Sequence, residues 1–181
     1  AIECFLKQIA LSRRLDDKPI LSYGSYMLGV THSEKGDFTE AQQAFVQSIE
    51  VARSFGFNHY LCGYLARLAK LYLENGHPCQ ALALIPEARE MAQKTKRQNV
   101  LFELDVLLAR LAAAENKETA IEQLKTLVPS APDDDQKAAV LLQIYRLAGG
   151  EACRREAAEL FRKLYDKTPA YLYKKTLAEL T

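Results

Sequence analysis

The side chains best equipped for chemistry are three histidines, four cysteines and a run of three aspartates. His59 and Cys62 stand one helical turn apart, the spacing of a base beside a nucleophile. Such a pair needs a third group to orient the imidazole and donors for the developing negative charge, and the sequence supplies neither. No G-x-S-x-G elbow, P-loop or G-x-G-x-x-G turn occurs. His32, His59 and His77 do not share the i, i+4 spacing that places two metal ligands on one helix face. Asp133–Asp135 lacks the alternating ligands and distant closing glutamate of a calcium loop. It suits a helix start, where the helix dipole favours negative charge. Cys4, Cys62, Cys79 and Cys153 are scattered, with no C-x-x-C pair, and are expected to be free thiols in a reducing cytoplasm. The residues therefore predict no enzyme, no catalytic set, no metal ligand and no cofactor.

The totals narrow the partner classes. The chain has 181 residues, 49% of them hydrophobic, enough to bury a sizeable core. Twenty-four basic and 23 acidic side chains leave a formal charge of +1, so no global field draws nucleic acid or an anionic membrane. Apolar runs such as Val100–Phe102 and Val140–Leu142 are too short to span a bilayer, and no basic segment followed by an apolar stretch marks a secretory signal. The sequence opens inside an amphipathic pattern at Ala1, which predicts a piece of a longer protein. Near the other end, Arg154, Arg155, Arg162, Lys163, Lys167, Lys174 and Lys175 are interleaved with Glu151, Glu156, Glu159, Asp166 and Glu179. Mixed signs at helical spacing predict a solvated capping face rather than a nucleic-acid track.

The elements that position these residues follow from an internal repeat of about forty residues. Ala1 aligns with Ala41 and Ala81, Phe5 with Phe45, Ile9 with Ile49, Arg13 with Arg53, Leu21 with Leu61, Leu28 with Leu68, and Gly36 with Gly76. Gly36 and Gly76 suit left-handed helix ends, Asp37 is placed to cap the next helix, and Pro78 suits a first helical turn. Further on the spacing drifts: Ala120 continues the series, but Asn116 and Lys117 stand where the glycine turn had been. Pro129, Pro132 and Asp133–Asp135 make a polar break, and Gly149–Gly150 another. The predicted class is all-α, with helices over 1–14, 20–34, 38–54, 58–74, 78–95, 97–114, 117–128, 134–148, 151–166 and 169–180. One domain, 1–181, is expected: a partial unit at 1–14, helix pairs at 20–54, 58–95, 97–128 and 134–166, and a capping helix at 169–180.

This pattern resembles the tetratricopeptide repeat family. Leu28, Gly29, Ala41 and Phe45 carry the resemblance in one unit, and Leu68, Ala69, Tyr72, Ala81, Ile85 and Ala88 in the next. Ala120 and Leu124 fit a third unit, and Ala157, Phe161 and Pro169 a fourth. Small residues at these places let two helix backbones approach, and aromatics fill the gaps between units. The resemblance implies a right-handed superhelical α-solenoid of antiparallel helix pairs, with about four repeats and a cap. Units here exceed the family's usual length of about 34 residues, similar to long-unit arrays in signalling scaffolds and bacterial regulators. Those arrays adjoin a kinase, cyclase or transcription module.

In such arrays the first helix of each pair lines the concave face. By register this implies Tyr23, Tyr26, Gly63, Arg67, Lys70, Glu103 and Arg110 at or near that surface. Tyrosine and arginine are enriched at interface hot spots, and Arg67, Lys70 and Arg110 together could receive a carboxylate-bearing segment. The expected role is a regulatory protein-interaction module. It would bind an acidic segment of a partner, or of the same polypeptide, and neither nucleic acid nor membrane. The other reading kept open is a sensor array that grips a small peptide or metabolite and switches an adjoining effector. Binding of a chaperone tail is not expected, because Tyr26, Val30 and Arg67 stand where the co-chaperone members' carboxylate clamp requires lysine, asparagine and arginine.

Overall fold

The computed structural model describes residues 1–181 as ten α-helices without a strand. They are α1 (Ile2–Arg14), α2 (Lys18–Lys35), α3 (Phe38–Ser54), α4 (Asn58–Glu74), α5 (Pro78–Lys94), α6 (Gln98–Ala112), α7 (Lys117–Leu127), α8 (Asp134–Ala148), α9 (Glu151–Lys167) and α10 (Tyr171–Leu180). Each bound lies within about two residues of the sequence expectation. The chain forms two compact units, Ala1–Leu104 and Asp105–Thr181, divided inside α6.

In the first unit five helix ends are closed in the same way. Asp16, Gly36, Gly56, Gly76 and Lys96, each twenty residues after the last, all have positive φ, between +55° and +87°. The next amide in each case bonds back to the carbonyl five residues earlier: Asp17 to Ser12 at 2.9 Å, Asp37 to His32 at 3.0 Å, Phe57 to Ala52 at 2.8 Å, His77 to Tyr72 at 2.9 Å and Arg97 to Ala92 at 2.8 Å. This closure satisfies carbonyls that the helix itself leaves without partners, and it needs a left-handed residue. Glycine adopts that conformation freely at Gly36, whereas Asp16 and Lys96 hold it against their own Cβ atoms. Lys96→Gly is therefore expected to stabilise the first unit by about 0.5–1 kcal/mol, strain relief being partly offset by chain entropy. Denaturant melts of the single variant check this, and a loss of stability would contradict it.

These turns bring successive helices back against one another. Helix α1 packs on α2, α2 on α3, α3 on α4 and α4 on α5, and α2 also touches α4. The contact of α2 with α3 is close because α2 buries small residues there, Ser22, Ser25 and Gly29, while Gly24 faces Ile9 of α1. The Ser22 hydroxyl donates to the Ser48 carbonyl across that contact at 3.1 Å. A Cβ placed on Gly29 would lie 2.7 Å from the buried ring of Phe45, so the ring fills the space that glycine leaves. Helix α4, with neighbours on several sides, buries Leu61, Cys62, Tyr64, Leu65, Ala66, Leu68, Ala69, Leu71 and Tyr72. The repeat alanines Ala41 and Ala81 are buried, as helix contacts without room for a side chain require.

Asp37 precedes α3, but its carboxylate does not cap that helix. It meets His32 Nδ1 at 3.0 Å and Lys35 Nζ at 3.5 Å instead, closing the turn by side-chain pairing. The hydrogen bond from His32 holds the Asp37 carboxyl below its ordinary range, against the opposing effect of burial.

In the second unit α7 packs on α8, α8 on α9 and α9 on α10, with a 3-10 turn at Val128–Ser130. Ala138, Leu141, Leu142, Ala157, Phe161 and Leu180 form its core. Asn116 caps α7 by accepting from the Thr119 amide at 2.9 Å, so the third intra-pair turn uses a polar side chain where the first two use glycine. Asp133 caps α8 by accepting from the Gln136 amide at 2.8 Å.

Candidate functional site

Helices α2 and α4, which touch in the first unit, carry a connected row of tyrosines. Tyr23 and Tyr26 lie one turn apart on α2 with ring centroids 6.5 Å apart. Tyr26 crosses to α4 and stacks on Tyr64 at 4.6 Å, and Tyr64 stacks on Tyr60 at 6.3 Å. The inner rings, Tyr26 and Tyr64, are anchored: Tyr26 also meets Phe45 at 5.8 Å, and Tyr64 is buried. The outer two are open, Tyr23 being 48% and Tyr60 51% exposed. Gly63 lies between Tyr60 and Arg67 on α4, and a Cβ added there would meet nothing within 4 Å. Ile20, one turn before Tyr23, is a further exposed apolar side chain.

Burial pushes the Tyr64 phenol up to about 12, opposed by its hydrogen bond with Ser22 and raised a little further by Tyr26, Tyr60 and Tyr23. Arg67 Nε stands 3.7 Å from Glu103 Oε1 of α6, and Lys70 Nζ stands 4.0 Å from Glu74 Oε1. The structure thus brings Tyr23 together with Tyr26, and Arg67 together with Glu103. Lys70 lies one turn beyond Arg67 on α4, beside Glu74. Arg110 belongs to the second unit.

Tyr60 and Tyr64 complete the row, and register reasoning on α2 did not reach them. Two signals mark them in the sequence. Tyr60 occupies the same repeat position as Ile20, and Tyr60, Gly63, Tyr64 and Arg67 follow the i, i+3, i+4, i+7 spacing of one helix face. The repeat also aligns Tyr23 with Gly63, so an aromatic on α2 corresponds to an open position on α4.

The histidines and cysteines have other partners. Arg97 Nη1 lies 2.7 Å from His59 Nε2 and donates to the His59 carbonyl at 3.2 Å. A guanidinium only donates, so in this contact Nε2 is the acceptor. The buried Cys62 thiol donates to the His59 carbonyl at 3.4 Å. His77 stacks on Phe38 at 5.4 Å and meets the edge of Tyr72, whose hydroxyl accepts from Gln42 Nε2 at 3.1 Å. All four cysteines are free thiols. No helix is long and apolar enough to cross a membrane.

Charges in the second unit pair among themselves. Arg146 bonds both oxygens of Glu179 at 2.8 and 2.6 Å, Lys163 meets Asp134 at 2.6 Å, Lys137 meets Glu156 at 2.8 Å, and Arg154 meets Glu151 at 2.8 Å. Hydrogen bonds from Arg146, Lys163 and Arg154 hold the Glu179, Asp134 and Glu151 carboxyls below their ordinary range. A depressed carboxyl adds stability that is complete above its unfolded value of about 4 and is lost as pH falls through the folded value. The second unit should therefore lose stability on acidification below about pH 4–5. Thermal melts between neutral and acid pH should show this fall, and Arg146→Gln should reduce it; an identical pH profile in that variant would contradict the assignment.

Neither the models of known protein families nor the curated proteins compared with this chain match it.

Proposed function

We propose that the chain is a non-catalytic protein-interaction module of the tetratricopeptide type, which holds an extended segment of a partner polypeptide along the tyrosine face of α2 and α4. In this reading the helix pairs follow one another as a right-handed solenoid, and α2 and α4 line its inner surface. One observation carries the proposal: four tyrosine rings in continuous contact across two helices, with the outer two half-exposed and the inner two fixed by the core. Tyrosine supplies large contact area with little rotamer entropy to lose and keeps a polar tip for hydrogen bonds. Anchoring the inner rings pre-organises the face, which lowers the ordering cost of binding. Arg67 and Lys70, each beside a glutamate of the same chain, serve orientation more than attraction. A regulatory role inside a larger signalling protein is the setting this module suits.

The experiment is selection from a random peptide library on the wild-type chain, with Tyr23→Ala/Tyr60→Ala as the counter-target. Enriched peptides should bind the wild type and lose at least about thirtyfold in affinity on the double variant, the size expected of one interface hot spot. Peptides that bind both forms equally would move the interaction to another surface.

A further inference from the structure

We draw no further inference here: the strongest candidate, the exposed apolar patch that Leu11 and Leu15 make at the C-terminal end of α1, is an unpartnered face, and nothing in the structure shows what covers it.

Discussion

Phe45→Ala is expected to destabilise the first unit by about 3–5 kcal/mol, the cost of emptying a large buried aromatic site. The loss should be near the upper end, because the ring bridges α3, Gly29 of α2 and Tyr26, so collapse of one neighbour cannot fill the cavity. Gly29→Val tests the same contact from the other side. A Cβ there would lie 2.7–2.8 Å from ring carbons of Phe45, closer than non-bonded carbons tolerate, so overpacking should cost about 1–3 kcal/mol despite the better helix propensity. Gly63 is the internal control, since an added Cβ meets nothing within 4 Å. Gly63→Ala should be neutral or stabilising by up to about 1 kcal/mol. Urea melts of the three variants check the order, and equal effects of Gly29→Val and Gly63→Ala would contradict the close approach of α2 and α3.

Loss of both outer tyrosines should have the largest effect on binding. Tyr23→Ala/Tyr60→Ala is expected to cost about 2–4 kcal/mol in affinity for a selected peptide, roughly 30- to 1000-fold, with little change in the thermal midpoint. Both side chains are half-exposed, so their removal opens no cavity in the core. Arg67→Glu/Lys70→Glu should weaken binding less, and its effect should shrink at high salt, because exposed charges are screened over about 8 Å at physiological ionic strength. Isothermal titration at two salt concentrations separates the two contributions. If charge reversal cost more than the loss of both tyrosines, electrostatic attraction rather than aromatic area would dominate the site.

Much of the helical arrangement can be read from the residues because it rests on local rules. The forty-residue repeat of small and aromatic positions predicts which helices pair, and Gly36 and Gly76 predict where they turn. Asp16 and Lys96 were not legible as left-handed turn residues. Their side chains give no sign of it, and only the equivalence with Gly56, at the same repeat position, points to it. The capping role of Asp37 was overestimated because local spacing cannot show that His32, five residues back, competes for the carboxylate. The tyrosine face was half legible. Tyr23 and Tyr26 follow from the register of α2, but their continuation into Tyr64 and Tyr60 depends on the contact between α2 and α4, a tertiary fact. Pairing of Arg67 with Glu103 likewise needs α6 brought back beside α4. Residue types fix which charges exist, and packing decides which of them neutralise one another.

Hydroxyl-radical footprinting of the chain with and without a bound peptide tests the central claim most directly. Tyr23 and Tyr60, 48% and 51% exposed, should oxidise readily in the free protein and be protected when the peptide is added. Tyr171, 68% exposed in the second unit, should react at the same rate in both states and serves as the internal reference. Protection confined to Tyr23 and Tyr60 is the predicted result. Protection of Tyr171 with Tyr23 and Tyr60 unchanged would place the interaction on the second unit and contradict the account.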